Sequence, residues 1–369
     1  MLGKIIDGIV KKTWSDEDIQ KYVGKFKYAC LVYSTNADLR HYSASGGTTT
    51  AILISSLQAG IIDGAVVCKA VLLDGKVRAA FYIAKTPEEM MESQGSKYVE
   101  TRFLAEVLPL IREFNGKLAV VGLPCDLKAL KRWQEKDKTI GDKVMFTIGL
   151  VCGHNSKTDL IDKVSERLEK QVGSKLKSYR FRFGHWRGKI EACFENGVVE
   201  TPPSKIFNDY QNLFFFSERK CLACYDHYAY DADITTGDVW LFRLKSDPVK
   251  KTGVIVRTQK GEAVFQNAVS NKAVMYEMLD VRDIMDGQSR IGPSHYNVSA
   301  RSRVSKYFAL KLKDPVGEKV KWHSWVNAFV TLANLRLSES KWGKKIIFLT
   351  PRPLLKAYLF FKKGLESLK

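Results

Sequence analysis

Apolar and polar positions along this chain switch repeatedly between the strand period of two and the helical period of 3.6. Gly64-Ala-Val-Val-Cys-Lys-Ala-Val is a β-rich run. Asp74-Gly75 is a two-residue hairpin signal, and 77–83 gives the returning strand. Before it, the loop His41-Tyr-Ser-Ala-Ser-Gly-Gly-Thr-Thr-Thr leads into a helix over 51–59 that ends at Gly60. Thr86-Pro87-Glu88-Glu89 opens another helix, with an N-cap threonine, proline at the first helical position and a capping-box glutamate. That helix breaks at Gly95-Ser96-Lys97-Tyr98. A helix over 103–114, a strand over 117–121, a helix over 126–134, a strand over 143–151 and a helix over 157–170 follow. Alternation of this kind predicts a partly parallel α/β sheet with helical layers.

Residues 177–199 are strand-like, with turns at Gly184, Gly188 and Asn196-Gly197. A further strand starts at Lys251, and a helix covers 261–270. The first 35 residues are mixed and charged. Ser15-Asp-Glu-Asp is a helix start, because acidic side chains complement the positive helix N-terminus. The expected fold is therefore α/β (α+β), a mixed, partly parallel sheet flanked by helices. It divides into an N-terminal helical segment (1–35), a main domain (36–300) and a basic, amphipathic helical C-terminal appendage (301–369).

Composition adds constraints. Over 369 residues, 45% hydrophobic and 27% charged content suit a soluble globular protein. No apolar run of about 18 residues predicts a membrane-spanning helix. The first residues lack the basic-then-apolar pattern of a signal peptide, so a cytoplasmic protein is expected. The net charge is +19, and 301–369 holds 16 Lys/Arg against 4 Asp/Glu, so most of the excess sits there. That tail interleaves Trp322, Trp325 and Trp342 with Ile346-Ile-Phe-Leu-Thr-Pro and Leu354-Leu-Lys-Ala-Tyr-Leu-Phe-Phe-Lys-Lys. Apolar clusters with basic flanks suit a helix lying on an anionic membrane, peripheral to it, or one packed on the main domain or a partner protein. No recognised nucleic-acid-binding motif is present, so nucleic acid is not an expected partner.

Seven cysteines in a chain without an export signal point to metal or redox use rather than a disulfide framework. Cys221-Leu-Ala-Cys224 is a two-thiolate chelate, ambiguous by itself among zinc, a redox disulfide and an iron–sulfur cluster. Cys125, in a Gly-Leu-Pro-Cys turn, and Cys152, before Gly153-His154, both fall just after predicted strands, where α/β sheets bind ligands. Zinc sites bring ligands as two close pairs, whereas these two are isolated. Scattered strand-end thiolates fit a cluster in a redox domain better, with a structural zinc as the alternative. Cys30, Cys68 and Cys193 read as small core residues.

At these residues the chain resembles the beta subunits of coenzyme F420 hydrogenases and dehydrogenases, which are flavin and iron–sulfur proteins. The matching segments, over roughly 42–268, include Ser45-Gly-Gly-Thr, Gly95-Ser-Lys-Tyr, Gly122-Leu-Pro-Cys-Asp-Leu-Lys-Ala-Leu, Ile148-Gly-Leu-Val-Cys, Cys221-Leu-Ala-Cys and Ala232-Asp-Ile-Thr-Thr-Gly-Asp. The resemblance implies that Cys125, Cys152, Cys221 and Cys224 ligate one 4Fe-4S cluster. It also implies that Ser45, Gly46, Gly47 and Thr48, with Gly95, Ser96, Lys97 and Tyr98, help bind FAD in preference to FMN. Physics agrees for Gly46 and Gly47: glycines before a helix let the backbone approach a ligand, and a helix N-terminus favours phosphate.

Within that frame Lys97 places positive charge beside the flavin, its bland alternative being a solvated loop lysine. His154, with a pKa near neutrality, relays protons or simply caps a turn. Asp233 and Asp238 bind flavin hydroxyls or satisfy turn amides. His185-Trp186-Arg187 contacts an anionic substrate or forms a solvated hairpin tip. The N-terminal ferredoxin-like segment of many relatives has no counterpart here, since Cys30 is the first cysteine, so a further electron wire has to come from a partner. The expected activity is a flavin-dependent iron–sulfur oxidoreductase. It passes electrons between an external carrier (ferredoxin or the deazaflavin coenzyme F420) and a small-molecule substrate, and oligomers are compatible with it. The alternatives are an electron-transfer subunit of a larger complex and a non-enzymatic protein with zinc in the same four cysteines.

Overall fold

Asp18 closes a capping box on Ser15 and starts helix α1 (Asp16–Tyr22) in the computed structural model, which describes residues 14–289 and 291–368. Strand β1 (Tyr28–Ser34) follows, then α2 (Ala37–Tyr42) and α3 (Thr48–Gln58). β2 (Gly64–Leu73) and β3 (Lys76–Ala84) form the expected hairpin. Asp74 and Gly75 have φ of 51° and 70°, the left-handed pair whose twist suits a tight hairpin. α4 (Pro87–Glu92) starts as the sequence predicts, with the Thr86 hydroxyl accepting from the Glu89 N–H.

The alternating region contains α5 (Phe103–Glu113), β4 (Leu118–Gly122), α6 (Pro124–Lys136), α7 (Lys138–Lys143), β5 (Val144–Leu150) and α8 (Thr158–Val172). β6 (Leu176–Phe183), β7 (Lys189–Phe194) and β8 (Val199–Glu200) make a small antiparallel sheet, followed by α9 (Lys205–Asn212). β9 (Ile234–Asp238), β10 (Thr252–Val256), α10 (Gln259–Ser270) and β11 (Val274–Leu279) return to the main sheet. The rest is helical: α11 (Val281–Gly287), α12 (Gly292–Tyr296), α13 (Val298–Ser305), α14 (Trp322–Glu339), α15 (Lys341–Leu349) and α16 (Arg352–Ser367).

The main sheet has the order β11-β1-β10-β9-β5-β4-β2-β3. β2, β4, β5 and β9 are parallel, and the flanking pairs are antiparallel, so the sheet is mixed as the pattern implies. Leu118-Ala-Val-Val-Gly of β4 is apolar throughout because both faces are covered. Ala119 packs with Ile52 of α3 and Phe265 of α10, whereas Val120 packs with Val107 of α5 and Leu127 of α6.

Two divisions of the chain need correction. Residues 1–13 of the expected helical segment lie outside the described residues. Within its remainder, 28–34 is not helical but strand β1, inserted between β10 and β11 with Cys30 and Val32 fully buried. The tail is not a separate appendage either. α13 crosses the expected boundary, and Leu332 and Leu335 of α14 pack with Phe214 and Leu222 of the main domain. Among the described residues no helix is long and apolar enough to cross a membrane.

Candidate functional site

A cleft of about 260 Å³ opens at the carboxyl ends of β4, β5 and β9, where open α/β sheets bind ligands. One wall is the start of α3, including Ser45, Gly47, Thr48 and Thr49. The Gly46 N–H donates to Thr252 Oγ1 at 2.9 Å, and a Cβ on Gly46 would meet the Val32 carbonyl at 2.7 Å. Gly47 is the α3 N-cap at φ 75°, a conformation that favours glycine, and no side chain caps the helix. The first amides of α3 are thus left for a ligand at the positive end of the helix.

The opposite wall carries Gly95, Ser96, Lys97 and Tyr98. Lys97 is no solvated loop lysine. Its ammonium donates to the carbonyls of Ser93, Gln94 and Gly95, the last at 2.9 Å, and so closes the end of α4. Burial lowers its pKa to about 8. Cys68 also lines the cleft, with burial pushing its thiol up to about 11. The sequence offered no sign of this, since it sits in an ordinary apolar strand run.

The floor is the end of β5 and the turn after it, including Cys152, Gly153, His154 and Asn155. His154 stacks on Phe214 with centroids 4.1 Å apart and planes 12° apart. Its Nε2 is buried without a hydrogen-bond partner. Burial, reinforced by Lys362, lowers its pKa to about 3, so the expected near-neutral value does not hold and the ring is neutral at physiological pH.

The two aspartates separate. Asp238 lines the cleft and holds buried Arg182 in a bidentate pair at 2.5 and 2.9 Å, with that guanidinium over the Trp240 ring. Asp233 does not reach the cleft. Its carboxylate accepts from the Thr147 N–H at 2.8 Å and the Thr258 hydroxyl at 2.6 Å, tying β5 to the start of α10. It satisfies backbone and hydroxyl donors, the second of the two roles open to it in the sequence. His185 sits at the tip after β6, its Nε2 2.9 Å from the Lys245 carbonyl.

Cys152 lies two residues past the end of β5, Cys125 lies in the first turn of α6, and Cys221 and Cys224 lie on the 3-10 turn over Arg219–Ala223 and its cap. Burial raises the Cys152 thiol pKa, and Cys221, Cys125 and Cys224 raise it further. Cys125 and Cys221 are raised likewise, Cys221 to about 12. Cys152 is thus within electrostatic reach of the other three thiols. Among the described residues no group of three or more His, Cys, Asp or Glu is arranged to hold a single metal ion.

Several residues around the thiols had no signal in the sequence. Arg301, 3% exposed, donates from Nε to the Leu222 carbonyl at 2.6 Å and also to the Ser294 carbonyl. Its charge favours the Cys224 thiolate, and Lys220 favours the Cys125 thiolate. The Asn155 N–H donates to Cys221 Sγ at 3.4 Å. His227 Nδ1 lies 2.8 Å from the Cys152 carbonyl, and His295 Nδ1 lies 3.2 Å from that of Cys224.

Residues 29–108 match the N-terminal part, and residues 115–281 the C-terminal part, of the family described as coenzyme F420 hydrogenase/dehydrogenase, beta subunit. The chain belongs to this family. It is 26% identical over 270 residues to the coenzyme F420 hydrogenase subunit beta of Methanosarcina barkeri, covering 72% of this chain and 86% of the relative. It is 27% identical over 271 residues to a coenzyme F420-dependent sulfite reductase of Methanocaldococcus jannaschii, of which the match covers 38%. In fold it resembles a chain of the F420-reducing [NiFe] hydrogenase complex from Methanosarcina barkeri. The TM-score is 0.59 at 23% identity, covering 80% of this chain and 98% of that one. The family segments contain the cleft and the four cysteines and end at 281, so α12–α16, with Arg301, lie beyond them.

Proposed function

We propose that this chain is a flavin- and iron–sulfur-dependent oxidoreductase of the cytoplasm, passing electrons between an external carrier and a small substrate. One observation carries the reading: Cys152 belongs both to the cleft floor and to the four-thiol group, so a ligand in the cleft and a cluster on the thiols would share a wall.

The donor types present suit both groups. Four soft sulfur donors suit iron–sulfur ligation, and Arg301, Lys220 and Lys128 offset the negative charge that four thiolates bring. For FAD, the uncapped N-terminus of α3 would take phosphate, and the orphaned His154 Nε2 would gain a partner. A bound flavin supplies exchange of electrons singly or in pairs, which joins a hydride-type substrate to a one-electron cluster. The chain's own part is to hold and orient. The start of α3 with Gly47 would position the phosphates, Gly46 ties that segment to Thr252, Lys97 fixes the turn across the cleft, and the Arg182–Asp238 pair rigidifies the rim. Neutral His154 is suited to hydrogen bonding rather than to proton relay near pH 7.

Relatives named as F420 hydrogenase subunit beta and F420-dependent sulfite reductase support coenzyme F420 as the carrier, and the first supports a place beside partner subunits; a ferredoxin is the alternative carrier. The test is anaerobic purification followed by iron, zinc and flavin analysis and a visible spectrum. About four irons per chain, releasable FAD and a band near 400 nm that bleaches on reduction are expected. A colourless protein with one zinc and no flavin would overturn the proposal.

A further inference from the structure

α15 and α16 are held to the body of the protein by one side only. Ile347 of α15 is buried, and Phe348 stacks on Phe216 with centroids 5.2 Å apart. On α16, Leu355, Lys362 and Leu365 are buried, and the Tyr358 hydroxyl donates to Asn334 at 2.6 Å. The outward side is apolar. Of the nineteen large hydrophobic side chains exposed among the described residues, seven fall within 341–368. Trp342, Ile346 and Leu349 repeat at i, i+4 and i+7 along α15, and Leu354 and Phe361, with Phe360 beside them, do so along α16. Trp342, Leu349 and Phe360 are each about three-quarters exposed, at 77%, 78% and 74%. Clustered exposure of this kind marks an interaction surface.

Charge selects the partner. Residues 341–361 hold five Lys/Arg and no Asp/Glu. Lys341, Lys345, Arg352 and Lys356 are exposed among the apolar side chains, while Lys344 pairs with Asp159. The one acid further along, Glu366, is buried against Lys362 and Lys363. A second copy would bring the same positive face and be repelled. Nucleic acid would leave the aliphatic residues between the cations uncovered. A surface that takes tryptophan, phenylalanine and leucine into an apolar layer and lysine into an anionic one is a lipid headgroup boundary.

We infer that the outward face of α15 and α16 docks the protein on an anionic membrane surface, the two helices lying in the plane of the headgroups. The inference is independent of the cofactor assignment, because these helices lie beyond the family segments and line no part of the cleft. The test is flotation of the full chain with vesicles of phosphatidylcholine alone and with about 30% phosphatidylglycerol added. The protein should float with the anionic vesicles and at least about tenfold less with the neutral ones, less again as salt is raised. W342S/L349S/F360S and, separately, K341E/K345E/K356E should each lower flotation at least about tenfold with helical content unchanged. Absence of flotation with either vesicle, or variants that float like the parent, overturns the inference. A concentration-dependent dimer abolished by the serine variant, without flotation, overturns it in favour of self-association.

Discussion

Arg301 Nε donates to the carbonyl of Leu222 at 2.6 Å, from a helix 79 positions beyond the Cys221–Cys224 turn that it holds. The guanidinium is buried, and its second backbone acceptor is Ser294. Burial lowers its pKa to about 10, so it stays charged at physiological pH, and the Cys224 and Cys221 thiols and the Glu366 carboxyl lie around it.

Replacing it should therefore act on the thiol group as well as on stability. R301M leaves two buried carbonyls without donors and should lower the unfolding free energy by about 2–4 kcal/mol, read from urea midpoints. Iron content after anaerobic purification should fall with it. R301K, which keeps the charge without the fork, should lie between the two. Equal midpoints and equal iron in all three proteins would remove Arg301 from the site.

The cleft and the thiol group share Cys152 but not Cys221 or Cys224. C221S should reduce iron to below about one per chain while flavin stays near the parental level, since cluster assembly needs all four thiolates. C152S should lower both. Flavin and iron analysis on the same samples distinguishes the two, and equal losses of flavin in both variants would contradict the shared-wall geometry.

Burial lowers the His154 pKa from its ordinary value of about 6.5 to about 3 in the folded chain. A depressed histidine binds fewer protons in the native state, so its contribution to stability is complete above pH 6.5 and is lost as pH falls toward 3. H154Q removes that linkage. In metal-free protein the stability of H154Q relative to the parent should improve by about 1.4 kcal/mol for each pH unit below 6.5, measured by urea melts at several pH values. A pH-independent difference would mean that the imidazole titrates normally.

Local chemistry made much of this molecule readable in advance. Asp74-Gly75 gave the β2–β3 hairpin, Thr86-Pro87 gave the start of α4, and the strand–helix alternation over 117–170 gave the parallel core. The positions of Cys125 and Cys152 followed from the strand ends. β1 was not readable, because its short apolar run carries no turn signal of its own and its partners lie more than 200 positions away. Arg301 looked like one more cation in a basic tail, and only tertiary burial marks it. Asp233 and Asp238 were equivalent in sequence, yet one meets Thr147 and the other Arg182.

The position of β1 also sets the order in which the protein can be made. Tyr28 pairs with Val256 and Ala29 with Leu279, so a ribosome adding about 5–20 residues per second leaves β1 without partners for about 10–50 seconds. Closing so long a loop is slow in itself. The Gly46 amide meets Thr252 only after that closure. The α3 wall of the cleft is therefore completed only after β10 has been made, and anything bound there has to be loaded onto a chain that already carries Thr252.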